Sequence, residues 1–330
     1  MTEPWNYQHS TTFDGGCQSV TEALQEAGLD WNVTKVPVYA GIEREVGRPG
    51  ENRYGLTFDR MPQHHAVLRE SDGKPLGIVG KNYSPIQNKE AFSIIDPVLQ
   101  QGGAKIKAVG SMRGGRVVWM YLDVGDSREI VKGDEIAPRM MLLKTHDSTS
   151  SFKAIPMASR MLCTNIVPSM IRDGKSASVK IRHSGDVSAK LDIATRAVDY
   201  TYRGFEAYMK YMQRLTQIPV SAFEIQQYIE VLFPATTNKD GHSIVSRALH
   251  EKRENFKSIW NRVGTLDDRN HIDPELVGTA YAAYQSATYY GNHTQPVSST
   301  AKHPNEVRWR RVTTSPDTHR LFENAYDYFM

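Results

Sequence analysis

Cysteine is nearly absent. Cys17 and Cys163 are the only two in 330 residues, and they have neither the spacing of a zinc site nor the density of a disulfide-stapled scaffold. That excludes a cysteine-held metal and makes a reducing cytoplasm the expected compartment. No run of about 18 apolar residues occurs, and the opening residues MTEPWNYQHS lack a basic segment followed by an apolar one, so neither a membrane span nor an export signal is expected. Neither sign of charge is in large excess. A net charge of +3 permits a local basic patch but does not by itself imply a polynucleotide partner.

Signatures of catalysis are missing as well. No Gly-x-Ser-x-Gly elbow exists, and Gly174-Lys175-Ser176 has Ser169 where a phosphate-binding loop needs its first glycine. Gly110, Gly114 and Gly115 do not have dinucleotide-binding spacing. His146-Asp147 lacks upstream histidines and reads, with Ser148 to Ser151, as turn chemistry. Asp267, Asp268, His271 and Asp273 carry the ligand types of a two-metal nuclease, yet they also suit a polar connector ahead of the next helix. No catalytic residue, metal or cofactor is therefore expected.

What is present is an ordinary core allowance, 39% hydrophobic residues, and no low-complexity linker or internal repeat. The chain is expected to form an α+β sheet domain over residues 1–185, with a mainly helical lobe over 186–330 packed on it. Val20 to Ala27 form a short helix ended by Gly28. Leu29 to Tyr39, broken by Pro37, reads as an edge strand, and Glu43 to Arg53 as a loop. His65 to Arg69 and Leu76 to Val79 make a hairpin around Asp72-Gly73. Asn88 is placed as the cap of a helix bearing Ala91, Phe92, Ile94, Ile95, Val98 and Leu99, with Pro97 kinking it.

A second hairpin follows. Lys105 to Arg113 and Arg116 to Leu122 flank Gly114 and Gly115, with Lys105, Lys107 and Arg113 on one face and Ile106, Ala108 and Met112 against the helix. Ile130 to Leu143 adds a strand or two. Asp186 caps the longest helix, which runs to Pro219, and Ser221 to Glu224 form a capping box for the next. Helices are also expected over Ile244 to Trp260, Val277 to Tyr290 and Thr318 to Met330.

Cations concentrate in the centre, where Lys153 to Arg214 holds eleven against five acids. Single-stranded nucleic acid is held by a positive groove that follows phosphates and by aromatic faces on which bases stack. Lys105, Lys107, Arg113, Arg116, Lys153, Arg160, Lys180 and Arg182 supply the first ingredient, and Trp119, Tyr121 and Phe152 the second. Each has a plainer use. Trp119 suits a strand core, the lysines a solvated sheet face, and Arg308, Arg310 and Arg311 a basic surface loop.

The order of motifs AGLDW (27–31), YSPIQNKEAF (83–92), GSMRGGRVVW (110–119), HDSTSS (146–151), IRH (181–183) and GTAYAAYQSATYY (278–290) resembles the phage/plasmid-like protein family, a domain of unknown function, over nearly the whole chain. The resemblance implies a gene carried by phages, prophages or plasmids and brings no catalytic residues. Hairpins packed on helices also look similar to the Rad52-like annealing proteins, an analogy of fold alone. The expected function is single-stranded DNA binding or strand annealing in recombination or replication, by a homo-oligomer. The alternatives are a metal-dependent nuclease or other nucleic-acid enzyme, and a structural or host-interaction protein.

Overall fold

The computed structural model describes residue 5 and residues 7–46, 53–149, 152–160, 163–166, 179–180, 187–265 and 272–330, with backbone alone for 163–166, 179–180 and 187–191. An antiparallel sheet forms its centre. The strand order is β1 (Ser10–Cys17), β5 (Lys105–Met112), β6 (Val117–Asp123), β8 (Asp134–Thr145), β9 (Lys153–Arg160) and β10 (Cys163–Ile166). Two short strands, β7 (Arg128–Val131) and β11 (Val179–Lys180), pair with β8 and β9.

The sequence VVWMYLD of β6 lies mid-sheet with both faces covered, which is why its apolar run is nearly unbroken. Alternation still sorts it. Val118, Met120 and Leu122 face a core shared with α1 (Val20–Glu26), α2 (Asn88–Phe92) and α3 (Asp96–Gln100), whereas Trp119 and Tyr121 face the C-terminal helices. That second layer comprises α5 (Ala222–Leu232), α6 (Arg247–Trp260), α7 (Ala280–Tyr289), α8 (Pro304–Thr314), α9 (Pro316–Asp327) and the later part of α4 (Val187–Leu215), whose Ala194 and Ala197 instead pack in the α1–α3 core. Trp119, Tyr121 and Trp309 of α8 meet edge to face at 5.3–5.7 Å, so the helical lobe shares a core with the sheet. A small hairpin of β12 (Thr236–Thr237) and β13 (Ser243–Ile244) separates α5 from α6.

The α+β class, the antiparallel pairing and the C-terminal helical region agree with the sequence reading. The Ser221–Glu224 capping box is formed in both directions, and α4 is the longest helix; Asp186, its expected cap, lies outside the described residues. Other details differ. The expected helix after Tyr83 splits into α2, a 3-10 turn over Ser93–Ile95, and α3, with Pro97 in the first turn of α3 where its missing N–H costs nothing. Asn88 is not the cap but the first helical residue, and its side chain turns inward. Arg308, Arg310 and Arg311 lie not in a loop but in α8, around the fully buried Trp309.

One difference changes faces. The β5–β6 register steps from Ile106 opposite Leu122 to Ala108 opposite Tyr121, leaving Lys107 as the extra residue of a bulge. A one-residue slip exchanges the two faces. Ile106 therefore packs on the α1–α3 side, while Ala108 and Met112 face the C-terminal helices.

A separate three-stranded sheet is built from β2 (Val33–Glu45), β3 (Tyr54–Arg69) and β4 (Pro75–Gly80). The Asp72-Gly73 turn is as expected, with Gly73 at φ +67°. The surprise is the length of β2 and β3. Glu43 to Glu45 are strand rather than loop, Tyr54 to His64 are strand as well, and beyond His64 the pair continues without β4 as a two-stranded arm.

Candidate functional site at the loop end of the main sheet

The turn between β5 and β6 and the loop after β8 leave the sheet at the same end. They are joined by the His146 N–H donating to the Arg116 carbonyl at 2.8 Å. Among the described residues only two non-glycine residues have positive φ, and both are here: Arg113 at 55° and Ser148 at 57°. Such conformations cost on the order of 1–3 kcal/mol and persist where the surroundings over-determine them, which is why they gather at functional sites. Here the surroundings are identifiable. Glu306 of α8 accepts from the Arg113 N–H at 2.7 Å, and the Arg113 guanidinium pairs with Asp147 at 3.2 Å. Asp147 in turn accepts from the Thr149 N–H and hydroxyl.

Beneath this rim lies a buried polar cluster. Met140 and Leu142 of β8 face the α1–α3 core, and continued alternation sends Lys144 the same way, against Val118 across the sheet and toward the start of α2. Lys144 is only 3% exposed, and His146 and Asn88 are buried with it. The hydrogen bonds fix the arrangement. Asn88 Nδ2 donates to the Leu29 carbonyl at 2.9 Å, which leaves Oδ1 to accept from His146 Nε2 at 2.9 Å. The imidazole is thereby assigned as its Nε2–H tautomer, with Lys144 Nζ against the ring at 3.0 Å from Nδ1 and 3.1 Å from Nε2.

Burial pushes the Lys144 ammonium down to about 7, opposed by the Glu90 charge, and burial followed by the Lys144 charge pushes the His146 pKa well down. An amine near neutrality, on a neutral imidazole of fixed tautomer, can hold or release a proton at physiological pH. Trp31 covers His146 at a ring separation of 5.1 Å and carries the Arg69 guanidinium over its own ring at 5.3 Å.

Cations gather around the two turn glycines. A Cβ on Gly114 would lie 2.6 Å from Lys74 Nζ, and one on Gly115 would lie 3.1 Å from Arg69 Nη1 and 3.5 Å from Trp31. Both glycines also have positive φ. Arg69 is held in a two-pronged pair by Asp72, and Arg113 by Asp147. Lys74 and Arg116 are exposed with no ion-pair partner among the described residues.

Gly77 of β4 supports the loop by close approach. A Cβ there would sit 2.6 Å from Asp147 Cα, and backbone cannot yield as a side chain can. Gly77→Ala is expected to cost about 1–3 kcal/mol in urea unfolding. It should also displace Asp147 from Arg113. A melt identical to wild type would show that the two segments do not touch.

Of the residues picked from the sequence, this end unites Arg113 and Arg116. Lys153 starts β9 at the same end but on the opposite face, where its charge is felt by His319 of α9, and the Lys180 backbone pairs with it. Lys105 and Lys107 stand at the far end of β5, roughly 25 Å away at strand rise. Arg160 is in the core, bound to Asp134. Arg182, like Asp267, Asp268 and His271, lies outside the described residues, while Asp273 caps a 3-10 turn through the Glu275 N–H.

The stacking assignments need correction. Trp119 and Tyr121 are wholly buried, and Phe152 packs edge to face on Phe92, so a base cannot reach any of the three rings. Half-buried Trp31 is the aromatic at the cationic rim. Lys144, His146, Asn88 and Trp31 were not selected from the sequence, although a lysine in phase with Met140 and Leu142 was a readable signal of burial.

Comparison with curated proteins and with solved structures gave no match. A family model does match, over residues 75–318, a span that contains Gly77, Asn88, the β5–β6 turn, Lys144 and His146. That span is most of the chain, which belongs to the family described as a domain of unknown function (DUF932).

Proposed function

We propose that this protein binds single-stranded DNA at the loop end of its main sheet, as a strand-binding or annealing protein of a phage or plasmid acting in recombination or replication. The observation that carries the reading is the convergence of Arg69, Lys74, Arg113 and Arg116 on two glycine-lined turns beside Trp31. Glycines let a phosphate approach the backbone, the cations neutralise it, and an aromatic flank offers a base a face. Among the described residues the other sheet cations do not extend this surface into one long track, so the contact covers a few nucleotides per copy.

Fluorescence anisotropy with a labelled oligothymidylate over 50–200 mM salt tests it. Affinity should fall steeply with salt, and the double variant K74E/R116E should reduce the log–log slope by about 1.4, at 0.7 per lost phosphate contact. An unchanged slope in the variant, or no binding by wild type, would overturn the assignment.

A nucleic-acid enzyme is the second reading, favoured by Lys144. An amine with its pKa near 7, buried beneath the Arg113 and Arg116 turn, suits proton transfer. Cleavage of a labelled strand by wild type but not by Lys144→Met would support it.

A further inference from the structure

The distal part of the β2–β3 arm exposes apolar side chains on a ribbon with no third strand among the described residues. Register from Val38 opposite Met61 to Glu45 opposite Tyr54 gives eight pairs, roughly 27 Å of ribbon. Directly opposed residues share a face. One face therefore carries, from the root outward, Tyr39 with Arg60, Gly41 with Phe58, Glu43 with Leu56, and Glu45 with Tyr54. The glycine confirms the assignment, since a Cβ on Gly41 would touch Leu56 and Phe58 at 3.4 and 3.6 Å.

On this face Tyr39 is 53% exposed, Tyr54 69%, Leu56 60% and Phe58 65%. An isolated two-stranded ribbon is marginally stable in water, and a contiguous apolar face of this kind marks a contact surface. The opposite face differs, because its Arg44 and Asp59 pair within the ribbon.

We propose that this face is the interface of a two-fold dimer, with the arm of a second copy of this chain packed antiparallel upon it. Charge argues for this occupant. Arg60 stands at the root of the face and Glu43 and Glu45 toward its tip, all exposed and with no ion-pair partner among the described residues. A two-fold axis through the middle of the face sets root against tip. Arg60 of each copy then meets the tip glutamates of the other, and Phe58 and Leu56 meet across the centre. An isologous contact requires this self-complementarity.

The area argues for it too. Four side chains of this size and exposure bury roughly 500 Å² per copy, about 1,000 Å² in all, which reaches the lower bound for a specific interface. A nucleic-acid strand fits this face less well, since its tip is acidic.

Sedimentation velocity on the full chain from 1 to 100 µM provides the test. Wild type should be a dimer. R60E makes the face acidic throughout and E43K/E45K makes it basic throughout, so each alone should sediment as a monomer. An equimolar mixture of the two should restore the dimer. Because the substituted side chains are solvent-exposed, circular dichroism should match wild type for both. A monomeric wild type, dimers that persist in each variant alone, or a mixture that stays monomeric would overturn the proposal.

Discussion

Asp134→Ala is expected to cost about 3–5 kcal/mol of folding stability, the range for removing one partner of a buried ion pair. Asp134 opens β8 and Arg160 closes β9, with side chains 4% and 3% exposed and Arg160 Nε donating to Oδ1 at 2.5 Å. The other carboxylate oxygen accepts from the Tyr281 hydroxyl of α7 at 2.8 Å, so one carboxylate ties two strands to the helical lobe. Burial, more than any neighbouring charge, raises the Tyr281 pKa well above the ordinary tyrosine value. The hydroxyl stays protonated as a donor. Truncation removes a carboxylate bound to a guanidinium that water cannot reach and takes the acceptor from the Tyr281 hydroxyl at once. The double variant D134L/R160M, which removes both charges, should lose much less than D134A. Urea unfolding at neutral pH reads both, and a loss under about 1 kcal/mol for D134A would show that the pair is not a strut.

The second large effect belongs to Lys144. Its pKa falls from 10.5 to about 7 on folding, so between these values the unfolded chain binds a proton that the folded chain does not. Stability must then rise with pH across that window, by at most about 1.4 kcal/mol per unit. At pH 7 the buried amine withholds roughly 4 kcal/mol, a penalty that disappears as pH approaches 10. Lys144→Met, close in length and apolar, is expected to be more stable than wild type at pH 7 by about 1–3 kcal/mol, since the lost bond to His146 offsets part of the gain. Its advantage should shrink steadily toward pH 10. His146 adds a lower window of the same sign, because its lowered pKa means that stability falls as pH drops through 6.5 and below. Thermal melts of both proteins from pH 6 to 9.5 would decide it, and parallel profiles would mean that Lys144 is charged in the fold.

Parts of this architecture were legible because they depend on neighbours in the chain. The Ser221 capping box, the Asp72-Gly73 turn and the amphipathic stripe of α4 each need only residues three or four positions apart. The β2–β3 arm escaped notice for the opposite reason. Tyr54, Leu56 and Phe58 do alternate with Gly55, Thr57 and Asp59, but the segment opposite, Gly41 to Glu45, has one apolar residue, and Pro62 with scattered charges gives the arm the composition of a loop. The candidate site was half legible. HDSTSS and the Gly114-Gly115 turn stood out as motifs, but nothing local joins them to Asn88, Trp31 or Lys74.

The sequence by itself determined many of the elements, the α+β class and a surface rich in both charge signs, since periodicity and turn chemistry are written over a few residues. Only the tertiary structure decided which cations meet. A single extra residue at Lys107 exchanged the faces of β5, burial took Arg160, Trp119 and Tyr121 into the core, and strand alternation carried Lys144 beneath the rim. Each of those outcomes depends on what packs from a distant part of the chain, and burial is a property of the packed whole.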